Sequence, residues 1–543
     1  MVTRREFIQA SALLGGVAIG GNSFSPLQDP GKDSAAITPT VTTALGKLRG
    51  RCANGVYAFK GVHYGASTEG RLRFRPPVPA KPWVGIRDTY EVGPPAPQVL
   101  GYGGFWAGLS GPGRMSEDCL VLNVWTPGLH AQEKKPALVW LHGGDYGVGS
   151  GGAALYDGAN LAAKHDVVVL TINHRLNIFG YLYLQKLCGD RFADSGNVGM
   201  LDIVLALQWV RDNIAQFGGN PANVTLFGQS GGGYKISTLM AMPSAQQLFH
   251  KAIIQSGSAL RVDSAQEANA LASKCLSQLS VSPDRIDDLI DLPADHVITT
   301  LQKMKPDPFF SFAPVVDGRS LPRQPFTPDA PVATANVPML IGTNLNETTS
   351  LNGDFDPSSF SLDDAALRNR LKSSLHLNDE SSLDALIATY QATRPSSTPS
   401  DIYFAVTTDV DFRIDAIAQA ERKVSQRSAP VYMYRFDWPL PIEGGRFKAA
   451  HGAEIPFVFD NLDKAPNWGL TRNEILQRLA DKVSGAWAAF ARTSNPNHAS
   501  LPHWPVYDPG ARATMLLNVE CHVENDPGKA ERVALSSLKQ GYA

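Results

Sequence analysis

Residues 223–233 read NVTLFGQSGGG, and three kinds of residue follow one another there in a telling order. The letters VTLF at 224–227 are those of a buried strand, and the glycines after them break it. Gly228-Gln229-Ser230-Gly231-Gly232 fits G-x-S-x-G, the turn that lifts a serine above the carboxyl edge of a sheet before a helix begins. The flanking glycines have a steric reason, because a side chain at either would clash with neighbouring backbone in so sharp a turn. A serine held this way stands exposed beside a helix N-terminus, which favours nearby negative charge.

The same alternation repeats on both sides of this turn. Apolar, β-branched runs at 137–141, 167–172, 251–254, 337–341 and 431–436 each run into a short polar or glycine-bearing segment. That is the pattern of parallel strands buried on both faces. Helical periodicity fills the intervals at 200–217, 232–242 and 475–492. In the first of these, Ile203, Leu207, Val210 and Ile214 make one stripe with charges expected opposite, and Gly218-Gly219 stops the helix. Strands alternating with helices predict an α/β fold, a central mostly parallel sheet flanked by helices. No repeat period or long linker divides the chain, and the strongest polar gap, 396–400, is too short to separate domains.

Composition narrows the function. The 543 residues are 43% hydrophobic, enough for a large core, and 49 Lys and Arg against 51 Asp and Glu leave a net charge of −2. No basic field advertises nucleic acid or an anionic membrane. No apolar run reaches the ~18 residues of a spanning helix, so no stable membrane anchor is expected. Five scattered cysteines, without a C-x-x-C pair, exclude a zinc ribbon, and no metal or cofactor is called for. Residues 1–21, MVTRREFIQASALLGGVAIGG, pair Arg4 and Arg5 ahead of a short Gly/Ala-diluted apolar stretch. This resembles a twin-arginine signal read by the twin-arginine export machinery, with cleavage expected within 21–36. The expectation is a signal and leader over 1–36, one domain over 37–543, and a protein exported to the bacterial periplasm or beyond.

A serine hydroxyl is a weak nucleophile, so a base must take its proton and a third group must fix that base. His451, in AAHGAEIPFVF, sits among small residues after a strand and is the best base; Glu347, in LIGTNLNET, lies just past a strand end and is the best acid. The order Ser230, Glu347, His451 is that of α/β-hydrolases. Asp317, in a turn-like PVVDG, and Asp354 and Asp356 remain rival acids. His142-Gly143-Gly144 ends another strand; backbone N–H groups of Gly143, Gly144 and Gly231 make a three-donor oxyanion hole. His174 and Arg175 read as strand-end braces, Asp202 and Trp209 as structural, and Ser256 either as a partner of the histidine or as a plain turn.

These residues resemble the type-B carboxylesterase/cholinesterase family. The match is carried by SEDCLVLNVWTP (116–127), LHGGDYGVGS (141–150), the segment 196–233, FHKAIIQSGSAL (249–260), FAPVVDG (312–318), GTNLNE (342–347) and AHGAEIPFVF (450–459). The resemblance implies an α/β-hydrolase with loop insertions around a gorge, acting on a small-molecule ester through an acyl-serine intermediate. In it, Ser230, Glu347 and His451 match the catalytic set, and Gly143, Gly144 and Gly231 the oxyanion donors. Amide, carbamate or lactone hydrolysis by the same residues, and a non-catalytic binding role for the fold, are the alternatives.

Departures from the family sharpen the expectation. Gln229 stands where Glu usually precedes the serine, which removes a charge beside the histidine and argues against cationic substrates. Asp145 stands where a small or apolar residue is usual. The upstream cysteine that would pair with Cys119 is replaced in Ala96-Pro97-Gln98, and Cys275 has no close companion. The loop 99–114 is then either lid-like or an ordered turn, with Phe105 and Trp106 walling the gorge or packing beneath it.

Overall fold

In the computed structural model, the described residues are 36–539 apart from 100–103, 131, 133, 305–310 and 378. The expected signal lies outside them, although Ala36 already pairs with Cys52 in a strand. Twelve strands form the main sheet: β1 (Ala36–Ile37), β2 (Arg51–Ala53), β3 (Val56–His63), β4 (Val121–Thr126), β5 (Lys135–Leu141), β6 (Val168–Ile172), β7 (Gly219–Gln229), β8 (Lys251–Gln255), β9 (Met339–Asn344), β10 (Val431–Phe436), β11 (Ala513–Leu517) and β12 (His522–Asn525). Across the sheet they run β1-β2-β3-β4-β6-β5-β7-β8-β9-β10-β11-β12. Every neighbouring pair from β6 to β11 is parallel. Antiparallel pairs finish both edges.

Side-chain alternation along β5 shows why the sheet is buried on both faces. Ala137, Val139 and Leu141 enter one hydrophobic core, whereas Leu138 and Trp140 enter the other. Helix α1 (Val198–Asn213) covers the first core with Met200, Ile203, Leu207 and Val210. The long helix α4 (Glu474–Thr493) covers the second with Leu479, Val483, Trp487 and Phe490. The face of α1 opposite its stripe is not simply solvated: Asp202 is fully buried and accepts from Arg175 Nη2 and Nε at 2.6 and 2.8 Å. Removing one partner of such a pair strands a charge in the core, typically at about 3–5 kcal/mol. The five cysteines are free thiols, and burial pushes Cys275 up to about 12.

The chain between β9 and β10 is helical and carries its own small core of Leu367, Leu371, Leu383, Leu386, Tyr390 and Phe404. The polar gap at 396–400 turns out to be a helix start. Thr398 Oγ1 accepts from the Asp401 N–H while Asp401 accepts from the Thr398 N–H, a reciprocal cap on α3 (Pro399–Thr408). Among the described residues no helix is long and apolar enough to cross a membrane. Because β5, β7, β8 and β9 are parallel, their carboxyl ends at Leu141, Gln229, Gln255 and Asn344 lie along one edge. In open α/β sheets that edge is where ligands bind.

Candidate active site

Between β7 and helix α2 (Gly231–Leu239), Ser230 adopts φ +55° and ψ −123°. A non-glycine residue held so far from the allowed regions costs about 1–3 kcal/mol, and its surroundings must enforce it. They do. The Ser230 N–H donates to Gln255 O at 2.8 Å, which ties the turn to β8, and Ser230 O accepts from the Tyr234 N–H at 3.1 Å. A Cβ on Gly232 would lie 1.9 Å from Leu141 O, and one on Gly228 would lie 2.8 Å from the same atom. The glycines predicted on steric grounds are therefore required by the approach of the β5 backbone.

His451 is buried, and its Nδ1 lies 2.6 Å from Oε2 of Glu347, which is also fully buried. The other carboxylate oxygen of Glu347 accepts the Asn344 N–H at 2.7 Å, so the carboxylate is aimed by its own loop. With Nδ1–H donating to Glu347, the lone pair sits on Nε2, which has no hydrogen-bond partner among the described residues. The rival acids are engaged elsewhere. Asp317 accepts from Ser320 Oγ and the N–H groups of Arg319 and Leu321, a local turn, and Asp356 pairs with Arg370. Asp354 is half-buried against the Phe105 backbone.

A second buried carboxyl, Glu454, was not singled out from the sequence. It accepts from Asn344 Nδ2 at 2.7 Å and Gln255 Nε2 at 3.0 Å, and Gln255 Oε1 in turn accepts from Trp487 Nε1. Burial, and then the nearby Glu347, raise its pKa above the ordinary carboxylate range. Gln229 is buried, with its Nε2 near Gly452 and its Oε1 near Gly143. The departure at Gln229 thus places a neutral amide between the Gly143 loop and the loop that carries His451.

The loop from His142 to Gly149 is held through its carbonyls. His142 O and Asp145 O accept from Lys235 Nζ at 3.0 and 2.7 Å. Gly143 O accepts from His142 Nδ1 at 2.8 Å, Gly144 O from the N–H groups of Gly147 and Val148, and Tyr146 O from the Asn177 N–H. Gly147 O accepts from Asn177 Nδ2. Gln98, the residue left where the resemblance places a Cys-Pro-Gln segment, bonds both the N–H and the carbonyl of Gly149. No backbone carbonyl among the described residues takes the N–H of Gly143 or Gly144. Gly144 and Asp145 have φ of +82° and +54°, and a Cβ on Gly231 would lie 2.1 Å from Asp145 O. The backbone of Asp145 therefore seats against the first residue of α2.

Aromatic side chains wall the histidine. Trp106 and Phe412 have ring centroids 5.9 and 4.9 Å from His451. Phe105 packs beneath, stacked on Trp468 at 4.8 Å, and Phe105 O accepts from Trp468 Nε1 at 2.8 Å. Of the two roles expected for this pair, Trp106 takes the wall and Phe105 the support; residues 100–103 of the loop lie outside the described residues. His174 stacks on His142 with 4.9 Å between centroids. Burial and Lys235 push His142 down to about 3, so both of its nitrogens belong to a neutral ring. Ser256, at φ +49°, makes a strand-end turn, and its buried hydroxyl has no partner among the described residues.

The family model described as "Carboxylesterase family" matches residues 37–535. The chain belongs to the carboxylesterase family. Among its relatives, para-nitrobenzyl esterase of Bacillus subtilis (strain 168) is 36% identical, over 92% of this chain and 99% of that one. Phenmedipham hydrolase of Pseudarthrobacter oxydans is 33% identical with the same coverage. A solved carboxylesterase of Geobacillus stearothermophilus superposes with a TM-score of 0.80 at 35% identity, covering 91% of this chain and 99% of that one. This carboxylesterase is a carboxylic ester hydrolase of the α/β-hydrolase fold, and a serine-hydrolase mechanism follows from the family.

Proposed function

We propose that Ser230, His451 and Glu347 carry the hydrolysis, and that its substrates are neutral esters bearing apolar or aromatic groups. The observation that carries the first part is the buried 2.6 Å contact between His451 Nδ1 and Glu347, with Nε2 left as the basic nitrogen. His451 Nε2 takes the Ser230 hydroxyl proton as Oγ attacks the ester carbonyl, and the carbonyl oxygen becomes an oxyanion held by the N–H groups of Gly143, Gly144 and Gly231. Collapse of this intermediate expels the alcohol, which takes the proton from His451. Water then repeats the sequence on the acyl-serine and frees the acid. Trp106 and Phe412, with the uncharged Gln229, support the substrate class.

A panel of p-nitrophenyl and benzyl esters, beside a choline ester and amide analogues, tests this. The neutral aryl esters are expected to lead the choline ester by at least about tenfold in kcat/KM, since Gln229 offers a cation no carboxylate beside the nucleophile. Equal or better turnover of the choline ester would overturn the substrate class, and preferred turnover of the amides would overturn ester hydrolysis as the main activity. Export by the twin-arginine route is part of the same proposal and rests on Arg4, Arg5 and the apolar stretch after them. Lysines at both positions should strand the full-length chain in the cytoplasm of its host, and undiminished export of that variant would remove this part.

A further inference from the structure

Lys235 is the fifth residue of α2 and is completely buried. An ammonium taken out of water is costly even after relaxation, and in the middle of a short helix it gains nothing from the negative C-terminal end. Its neighbours on the helix, Ile236, Ser237, Thr238 and Leu239, are all fully buried and none is charged. Burial pushes Lys235 down to about 7, with only Asp145 pulling the other way. Besides Asp145, the Tyr146 ring faces the ammonium, with its centroid 5.7 Å from Nζ.

What the ammonium does is specific. Its Nζ donates to His142 O and Asp145 O, the carbonyls on either side of the Gly143–Gly144 pair. A trans peptide is planar, so its C=O and N–H point in opposite directions. His142 O and the Gly143 N–H belong to one peptide. Holding that carbonyl toward Lys235 therefore turns the Gly143 N–H the opposite way. The next peptide repeats the device, because Gly143 O is held by His142 Nδ1 and its partner is the Gly144 N–H. A cation on the carbonyl also polarises the amide and makes its N–H a stronger donor.

We propose that Lys235 is the positioning residue of the oxyanion hole, fixing and polarising the Gly143 peptide through the carbonyl of His142 and anchoring the far side of the loop through that of Asp145. The inference rests on the reading of Gly143 and Gly144 as oxyanion donors. Lys235 touches neither substrate nor Ser230 in this account; it acts through the peptide.

The test compares Lys235→Met, which keeps length and removes charge and donors, with Lys235→Gln, which keeps two donors. Active sites are counted with a phosphonate that titrates Ser230, so kcat is expressed per competent site. Lys235→Met should lower kcat per site by about 10²-fold, the scale of losing one oxyanion donor, with KM changed less than about threefold. Affinity for an aryl trifluoromethyl ketone, which forms a tetrahedral oxyanion on Ser230, should fall by the same factor as kcat/KM, whereas a planar carboxylate product should bind unchanged. Lys235→Gln should recover part of the loss.

If kcat per site and ketone affinity stay within about threefold of the parent in Lys235→Met, or if Lys235→Gln recovers none of a loss seen in Lys235→Met, the proposal is overturned. If neither variant folds, Lys235 belongs to the core and not to the hole, which also overturns it. Ser230→Ala is run in parallel: activity surviving there defeats the reading of the whole site, whereas an inactive Ser230→Ala beside a normal Lys235→Met defeats the role of Lys235 alone.

Discussion

The two halves of the site are made of different materials. Around Ser230 the structure is backbone: a strained turn, glycines whose missing Cβ atoms let Leu141 O and Asp145 O approach, and a loop tied down by its carbonyls. Around His451 it is side chains: Glu347, Glu454, Asn344, Gln255 and Trp487, joined by hydrogen bonds between segments far apart in the chain. The first half is damaged by an added atom, whereas the second is damaged by a changed proton on the His451–Glu347 pair. Mutations should separate the two by what they damage.

The largest effect is expected in the side-chain half. Glu347→Gln keeps the shape and removes the charge that fixes the imidazole, and should lower kcat by about 10⁴-fold while leaving the circular dichroism spectrum and the denaturation midpoint nearly unchanged. Equal loss of stability and activity would mean that Glu347 holds the loop and not the base. Gly232→Ala attacks the other half. Its Cβ would lie 1.9 Å from Leu141 O, a backbone atom that cannot swing aside. Here activity and stability should fall together, activity by about 10²-fold and stability by at least the 1–3 kcal/mol usual for overpacking; urea titration with parallel assays distinguishes the two patterns.

Glu454→Gln should be the mildest in activity, within about tenfold, because this carboxyl touches Asn344 and Gln255 and not His451. Its signature is in pH. The folded protein holds the Glu454 proton more tightly than the unfolded chain does, since burial raises its pKa. This group's contribution to stability is therefore fully present below the unfolded value of about 4.3 and is lost as pH rises through the folded one. Glu454→Gln removes that loss, so its stability relative to the parent should improve as pH rises from about 4. Denaturant midpoints of both proteins across pH 4–8 check the sign, and a constant difference would refute it.

The same contrast explains what the letters disclosed. The turn at Ser230 was legible because glycine is the only residue that fits it, so geometry leaves a trace in composition. Strands such as Val431–Phe436 were legible because burial on both faces gives an unbroken apolar run. The network behind His451 was not legible, because Gln255 and Asn344 at two strand ends, Glu454 on a loop and Trp487 on α4 meet only in the folded chain. Glu454 lay three residues beyond a histidine already singled out, yet nothing in its spacing marks a buried carboxyl. Lys235 left the faint signal of the one charged residue in a short helix, and the reciprocal cap at Thr398 looked like a gap because caps and loops share their residues.

The central claim is that the strained turn presents Ser230 as the nucleophile. Its most direct test is to quench the protein during turnover of a p-nitrophenyl ester at low pH and to map the acyl group by peptide mass spectrometry. The acyl mass should appear on the peptide containing Ser230, at a stoichiometry matching the burst of p-nitrophenol, and should vanish together with turnover in Ser230→Ala. An acyl group on another residue, or turnover persisting in Ser230→Ala, would contradict the account.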